Sequence, residues 1–200
     1  MLISDRYCFT IFVGVFNVKI NLPDGLLSTA RYLPSPHRDL RPSSTVIDAV
    51  IIHGISLPPG QFGTAYIENF FCDILDYTLH PYFATLTTLK VSAHLLIART
   101  GEIIQFVPFA ERAWHAGKSY LAGREHCNDF SIGIELEGTD DLPYEKIQYQ
   151  KLTNVLHILM ATYPAITRTR IVGHANIAPG RKTDPGPLFD WHYLDCLLMN

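Results

Sequence analysis

Runs of apolar residues predict the strands of a buried sheet. Thr45–His53 ("TVIDAVIIH") is such a run and stops at a loop of glycine and proline, as expected of a strand buried on both faces. Phe130–Gly138 predicts a second core strand and Thr169–His174 a short third one. Ser92–Pro108 predicts two strands around an Arg-Thr-Gly-Glu turn.

Helical spacing of apolar residues appears in three segments. Tyr144–Pro164 gives the longest signal, Phe189–Met199 predicts a closing helix, and Thr64–Leu75 predicts a shorter one. Strands and helices are mixed, and 200 residues without internal repeats fit one domain. The predicted fold is therefore α/β or α+β, with a mixed central β-sheet flanked by helices.

The apolar N-terminal stretch Tyr7–Ile20 permits three interpretations. It is too short to span a bilayer, which needs about 20 apolar residues. Only Arg6 precedes it closely, and no small-x-small cleavage site follows. A weak export signal, an added strand, and sequence upstream of the natural start all remain open.

Net charge narrows the class of partners, and the spacing of the cysteines indicates their redox state. A net charge of −3 and a pI of about 6.3 favour neither nucleic acid nor an anionic membrane as a partner. The four cysteines are widely spaced and form no CxxC pair, so we expect reduced, mostly buried thiols. That pattern suits a cytoplasmic protein.

Polar residues stand at the ends of two predicted strands and within a third. His53 and His174 end their strands, and Glu135 interrupts an otherwise apolar run. Ligands gather at strand ends in such sheets. The stretch Gly173–Pro187 contains three glycines and three prolines, which stiffen a loop that also carries Lys182 and Asp184.

His53, His174 and Asp184 are the ligand types of a catalytic zinc, with the fourth position left for water. The alternative is structural: a histidine that caps a strand and an aspartate that caps the last helix. The proline-rich loop is compatible with the metal site, because a stiff loop can hold Asp184 near His174, but the residues alone leave both interpretations open.

Three further charged residues have both a structural and a catalytic interpretation. Lys182 is either a solvated surface lysine or a cation that stabilises an oxyanion. Glu135 is either an edge residue facing water or a general base for a metal-bound water. Glu137 points to the same face as Glu135 and is its rival, but it lies nearer the strand end, which favours Glu135 as the enclosed residue.

Several long motifs together resemble one enzyme family. The motifs are, in chain order, "HGISLPPGQFG", "HPYF", "VSAHLLI", "GEIIQFVPFAERAWHAG", "CNDFSIGIELEGTD" and "GHANIAPGRKTDPGP". They resemble the AmpD-type 1,6-anhydro-N-acetylmuramyl-L-alanine amidases of Gram-negative bacteria over roughly Gly25–Leu198. This resemblance implies an amidase domain at 25–200 and an extension of unclear role at 1–24.

The resemblance implies a function and assigns roles to the candidate residues. The family is cytoplasmic, carries one Zn²⁺ per chain, and cuts the amide between the lactyl group of anhydro-muramic acid and L-alanine during cell-wall recycling. No obligate protein partner is evident. The implied zinc ligands are His53, His174 and Asp184, and the implied catalytic residues are Glu135 and Lys182.

Substrate-binding positions depart from the family pattern. Lys90 and His126 stand where the family usually has arginine, and Gly54 stands where asparagine is usual. Lysine keeps the charge but loses the bidentate fork of arginine. Trp114 matches an aromatic residue that lines the substrate groove. Two alternatives stay open: an amidase acting on polymeric peptidoglycan, and a peptidoglycan-binding module without hydrolysis.

Overall fold

The computed structural model describes residues 19–21 and 24–199. Of the N-terminal stretch Tyr7–Ile20, only the last two residues fall within this range, so the three interpretations of that stretch lie outside the described residues. Cys8 also lies outside them. Cys127 is buried, whereas Cys72 and Cys196 are half-buried, so only one of the three described thiols is buried as expected.

Strands and helices are mixed along the described chain, as the apolar pattern predicts. The strands are β1 (Ile20–Asn21), β2 (Leu26–Leu27), β3 (Arg31–Tyr32), β4 (Arg38–Leu40), β5 (Ala49–Ile55), β6 (Leu95–Ile97), β7 (Ile103–Gln105), β8 (Glu111–Ala113), β9 (Tyr120–Leu121), β10 (Arg124–Glu125), β11 (Ser131–Glu137) and β12 (Ile171–Gly173). The helices are α1 (Tyr66–Phe71), α2 (Lys146–Thr162), α3 (His174–Ile177) and α4 (Trp191–Met199), and short 3₁₀ segments include Pro81–Leu86.

The largest sheet is mixed, which confirms the predicted fold class. Its strand order is β12-β5-β11-β6-β7-β3. The four strands β12, β5, β11 and β6 run parallel, β7 is antiparallel to β6, and β3 is parallel to β7. The two long apolar runs thus form the adjacent central strands β5 and β11, and both are buried over most of their length.

Alternation along the central strands divides the core into two layers. Val50 and Ile52 of β5 pack in the same apolar cluster as Leu152 and Leu156 of α2. Residues of the opposite face pack against α1, the 3₁₀ segment and α3. His53 points to this second face, because it follows Ile52 by one residue.

Helix α1 is shorter than the predicted helix Thr64–Leu75. It ends at Phe71, and Asp73 has a left-handed backbone with φ of 60°, which an α-helix does not continue through. Ile74, which the predicted helix Thr64–Leu75 would place on its apolar face together with Phe70 and Phe71, is consequently 69% exposed, so that part of the prediction was wrong.

Gly133 on β11 provides the space that the ring of His115 occupies. A Cβ atom at this position would overlap three atoms of that ring. We expect Gly133→Ala to lower the free energy of unfolding by about 1–3 kcal/mol, the usual cost of overpacking a core, measured by denaturant titration. In a His115→Ala background the same substitution should cost clearly less. Equal losses of unfolding free energy in both backgrounds would show that the ring of His115 is not the reason why residue 133 must be glycine.

No helix within the described residues is long and apolar enough to cross a membrane.

Candidate metal centre

Strand register places the candidate residues at one end of the parallel sheet. His53 on β5 is the register partner of Glu135 on β11, so both side chains point to the same face. Gly173 at the end of β12 pairs with Ile52, so His174 begins α3 at the level of His53. The three strands thereby bring three polar side chains together at their carboxyl ends.

His53, His174 and Asp184 form a nearly equilateral triangle of potential ligand atoms. The Nδ1 atoms of the two imidazoles are 3.0 Å apart, and each is 3.0 Å from Oδ2 of Asp184. Both rings are buried, with 2% and 3% of their residue surface exposed. Among the residues that the structure describes, these three form the one group that could hold a metal ion.

The spacing and the hydrogen bonds of this group fit a metal ion. Ligand atoms placed tetrahedrally at about 2.0 Å from a zinc ion lie about 3.3 Å apart, close to the observed 3.0 Å. The Nε2 atom of His174 faces the carbonyl oxygen of Ala116 at 3.2 Å and must donate to it, so in the singly protonated ring Nδ1 carries a lone pair. That lone pair points at a carboxylate, a contact that a cation between them would stabilise.

Charge and burial fix the protonation of two members of the triangle. Burial lowers the pKa of His53 to about 4, which keeps its ring neutral, the form that binds metals. Burial alone would raise the pKa of Asp184, but a hydrogen bond from a protonated Nδ1 of His174 or His53 would outweigh it and hold the pKa well below its usual range. A metal ion in the place of that proton would act in the same direction. A neutral imidazole and a carboxylate are therefore available near neutral pH.

The glycine- and proline-rich loop that carries Asp184 is held from both sides. The backbone carbonyl of Asp184 accepts a hydrogen bond from the amide of Ala175 at 2.9 Å. The next carbonyl, that of Pro185, accepts one from the hydroxyl of Tyr144 at 2.8 Å. Tyr144 fits there because position 54 is glycine, and a Cβ atom at Gly54 would overlap its hydroxyl. The loop therefore presents Asp184 in a fixed position.

Glu135 and Glu137, which the sequence left as rivals, have different environments. Burial and the negative charge of Asp184 raise the pKa of Glu135 well above its ordinary value, and Lys182 opposes this effect. Glu137 instead accepts hydrogen bonds from the amides of Gly63 at 2.6 Å and Arg99 at 3.1 Å. Glu137 thus anchors two loops, whereas Glu135 remains available at the metal centre.

A cavity of about 560 Å³ opens over the triangle. Lys182 lines the cavity together with Glu135, and Lys182 is an exposed residue. Part of the lining, termed here the apolar wall, is formed by apolar side chains, which suits a ligand with both polar and apolar groups. That wall is formed by Phe70, Phe71, Tyr82, Leu86, Leu89 and Val91.

The predicted substrate-binding residues are not gathered in this cavity. Lys90 is exposed and forms an ion pair with Asp73 at 2.7 Å. Trp114 is half-buried and stacks on the ring of His37, with 5.8 Å between ring centroids. His126 lines a separate cavity of about 430 Å³, which shares Arg181 with the first.

Sequence patterns gave no sign of His115. It lines the cavity beside His53, and its Nδ1 atom lies 3.0 Å from Nε2 of His53. It falls in a stretch without strand or helix periodicity, next to Trp114, so only the family motif "AWHAG" drew attention to the segment.

A mixed sheet that gathers two histidines and a buried glutamate at its strand ends, beside an aspartate on a loop, has the architecture of a single-domain hydrolase with a group that could hold a metal ion. Residues 43–187 match the family model of N-acetylmuramoyl-L-alanine amidase (Amidase_2), and the chain belongs to this family. The resemblance seen in the sequence motifs is therefore confirmed.

Named relatives fall in the same family. The chain is 57% identical to the 1,6-anhydro-N-acetylmuramyl-L-alanine amidase AmpD of Salmonella typhimurium (strain SL1344) over 171 residues, 85% of this chain and 91% of the relative. It superimposes on the crystal structure of a Se-Met AmpD derivative with a TM-score of 0.85 and 55% identity, covering 88% of this chain and 97% of that one. AmiD from E. coli, solved with anhydro-N-acetylmuramic acid-L-Ala-D-γ-Glu-L-Lys, matches with a TM-score of 0.56 and 33% identity over 78% of this chain and 60% of that one.

Proposed function

We propose that this chain is a zinc amidase that hydrolyses the bond between the lactyl group of 1,6-anhydro-N-acetylmuramic acid and L-alanine, in the cytoplasmic recycling of cell-wall fragments. The observation that carries the proposal is the buried triangle of His53, His174 and Asp184 with Glu135 on the neighbouring strand. The identity to AmpD supports the choice of substrate. The amidase domain is proposed to be residues 25–200, with 1–24 as an extension.

His53, His174 and Asp184 are proposed to hold one Zn²⁺. When bound, zinc acts as a Lewis acid that polarises a carbonyl oxygen and lowers the pKa of water from 15.7 towards about 7. Catalytic zinc sites take three protein ligands, and these three residues would supply them. Asp184 contributes the negative charge that offsets part of the charge of the ion.

Glu135 is proposed to act as the general base and then as the general acid. Its raised pKa makes its carboxylate a better proton acceptor than an exposed glutamate. It takes a proton from the attacking water while the carbon–oxygen bond to the lactyl carbonyl forms. It then gives that proton to the nitrogen of L-alanine as the carbon–nitrogen bond breaks, so the free amine leaves.

Lys182 is proposed to stabilise the oxyanion of the tetrahedral intermediate. It lies two residues before Asp184 on the same fixed loop and lines the cavity that Glu135 faces. A positioned cation near a developing negative charge favours the transition state over the ground state.

Lys90, Trp114 and His126 are proposed to contact the substrate outside the metal centre. Their separation suits a substrate with a sugar at one end and a peptide at the other. Lys90 would exchange its ion pair with Asp73 for a carboxylate of the peptide, because an exposed pair of this kind contributes little.

Mass spectrometry of two substrates tests the proposal. We expect the purified, zinc-loaded protein to release free tripeptide from 1,6-anhydro-muramyl-tripeptide, and to act far more slowly on intact peptidoglycan sacculi. Preferred cleavage of the sacculi would instead indicate an amidase of polymeric cell wall. Binding of the muropeptide without any release of peptide would indicate a binding module.

A further inference from the structure

We propose that His115 is a positioning residue that fixes the ring of His53 for metal binding. Its Nδ1 atom accepts the Nε2 proton of His53 and so directs the unprotonated Nδ1 of His53 into the triangle with His174 and Asp184. The inference rests on the zinc site of the proposed function, and it assigns His115 no contact with substrate.

The ring of His115 is held in one orientation by its own backbone and by the adjacent strand. The amides of His115 and Ala116 both donate to Oδ1 of Asn128, at 3.1 and 2.7 Å. The ring lies against the backbone of Gly133, where no Cβ atom would fit. Only 9% of the residue surface is exposed, so few other rotamers are open to it.

Hydrogen bonds beyond the ring determine which nitrogen of His115 carries the proton. The hydroxyl of Ser131 donates its single proton to the carbonyl oxygen of Cys127 at 2.5 Å, because a carbonyl can only accept. Towards Nε2 of His115, at 3.4 Å, the same hydroxyl oxygen can therefore only accept. This places the proton of the neutral ring on Nε2 and leaves Nδ1 as an acceptor.

One hydrogen bond makes the tautomer of His53 depend on the tautomer of His115. Nε2 of His53 lies 3.0 Å from the acceptor Nδ1 of His115, so His53 donates there. A neutral His53 ring then has its lone pair on Nδ1, the atom that faces His174 and Asp184 at 3.0 Å. The order of donors and acceptors in this series of hydrogen bonds thus follows from the carbonyl of Cys127, which can only accept.

The adjacent residues His115 and Ala116 provide hydrogen-bond acceptors for both imidazoles of the candidate metal centre. His115 supplies the acceptor for His53, and the carbonyl of Ala116 supplies the acceptor for His174 at 3.2 Å. Such outer partners set the tautomer and ring orientation of metal-bound histidines, and their loss typically weakens metal binding by about 10–100-fold.

A matched pair of substitutions separates the hydrogen bond from packing. In His115→Asn the amide oxygen can replace Nδ1 as an acceptor, whereas His115→Leu has a similar volume and no acceptor. We expect the Zn²⁺ Kd, measured by competition with a chromophoric chelator, to rise by about 10–100-fold in His115→Leu. His115→Asn should stay much nearer to the wild type. The same two substitutions at His157, an exposed residue of α2, should leave the Kd unchanged.

Ser131→Ala provides a second variant in case His115→Leu does not fold. It removes the acceptor for Nε2 of His115 but keeps the ring, so the Kd should rise in the same direction by a smaller factor. Thr153→Val removes another buried hydroxyl, on α2, and serves as its control. Wild-type zinc affinity in both His115→Leu and Ser131→Ala would overturn the inference, as would equal losses in His115→Leu and His115→Asn.

The assay contains no substrate, which keeps this inference distinct from the proposed reaction. A wild-type protein that binds zinc but leaves the muropeptide intact would overturn the reaction, and the ratio of Kd values would still decide the role of His115. A wild-type protein without zinc affinity would overturn both.

Discussion

Asp184→Asn is expected to lower amide hydrolysis by at least about 10³-fold and to abolish tight zinc binding. The substitution replaces a carboxylate oxygen, 3.0 Å from both Nδ1 atoms, by a neutral amide of the same shape. The amide is a poor ligand and supplies no charge to offset the ion. Lewis-acid stabilisation of the transition state is worth several kcal/mol. Because each 1.36 kcal/mol changes the rate tenfold, its loss accounts for the expected drop in the rate of hydrolysis.

Chelation and a control variant make this prediction specific. Treatment of the wild type with a chelator should cause a similar loss, and stoichiometric zinc should restore the rate. Zinc at the same concentration should not restore Asp184→Asn. Asp190→Asn is the matched control, because Asp190 is exposed and its side chain accepts from the amide of Tyr193, a role that asparagine also fills. A fully active, metal-free Asp184→Asn enzyme would refute the zinc site.

The position of the candidate ligands was predictable because it follows from strand patterning. Apolar runs ending in His53 and His174 indicate buried strands, and parallel strands bring their carboxyl ends to one edge. Asp184 was harder to place, since a loop has no periodicity. Its ten-residue separation from His174 became meaningful only because prolines and glycines restrict the loop between them.

The outer partners of these ligands could not be predicted from local patterns. The place of His115 depends on a missing Cβ atom at Gly133, on the amide of Asn128 and on the hydroxyl of Ser131. These residues meet only after the sheet has formed, and each alone is compatible with many environments. The short strands β9 and β10 were missed for a similar reason, because their exposed residues lack an apolar alternation.

The choice between Glu135 and Glu137 shows the limit of face alternation. Both residues point to the same side of β11, so periodicity cannot separate them. The structure separates them by their partners: the carboxylate of Glu137 accepts two backbone amides, whereas Glu135 sits at the level of His53. This difference motivates a pair of substitutions with opposite expected effects.

Glu135→Gln is expected to lower kcat by about 10²–10⁴-fold, the usual contribution of a positioned general acid–base group. Glutamine keeps the volume of the side chain but cannot take a proton from water or deliver one to the alanine nitrogen. Zinc affinity and thermal stability should stay close to the wild type, because none of the three candidate ligand atoms changes. Kinetics on the anhydro-muramyl-tripeptide, together with zinc titration, would measure both properties.

Glu137→Gln, two residues along the same strand, is the matched control. It weakens the anchoring of Gly63 and Arg99, because a glutamine side chain offers one acceptor oxygen instead of two. We expect a loss of stability of about 1–3 kcal/mol with kcat within a few-fold of the wild type. The reverse outcome, an active Glu135→Gln and an inactive but folded Glu137→Gln, would transfer the acid–base role to Glu137.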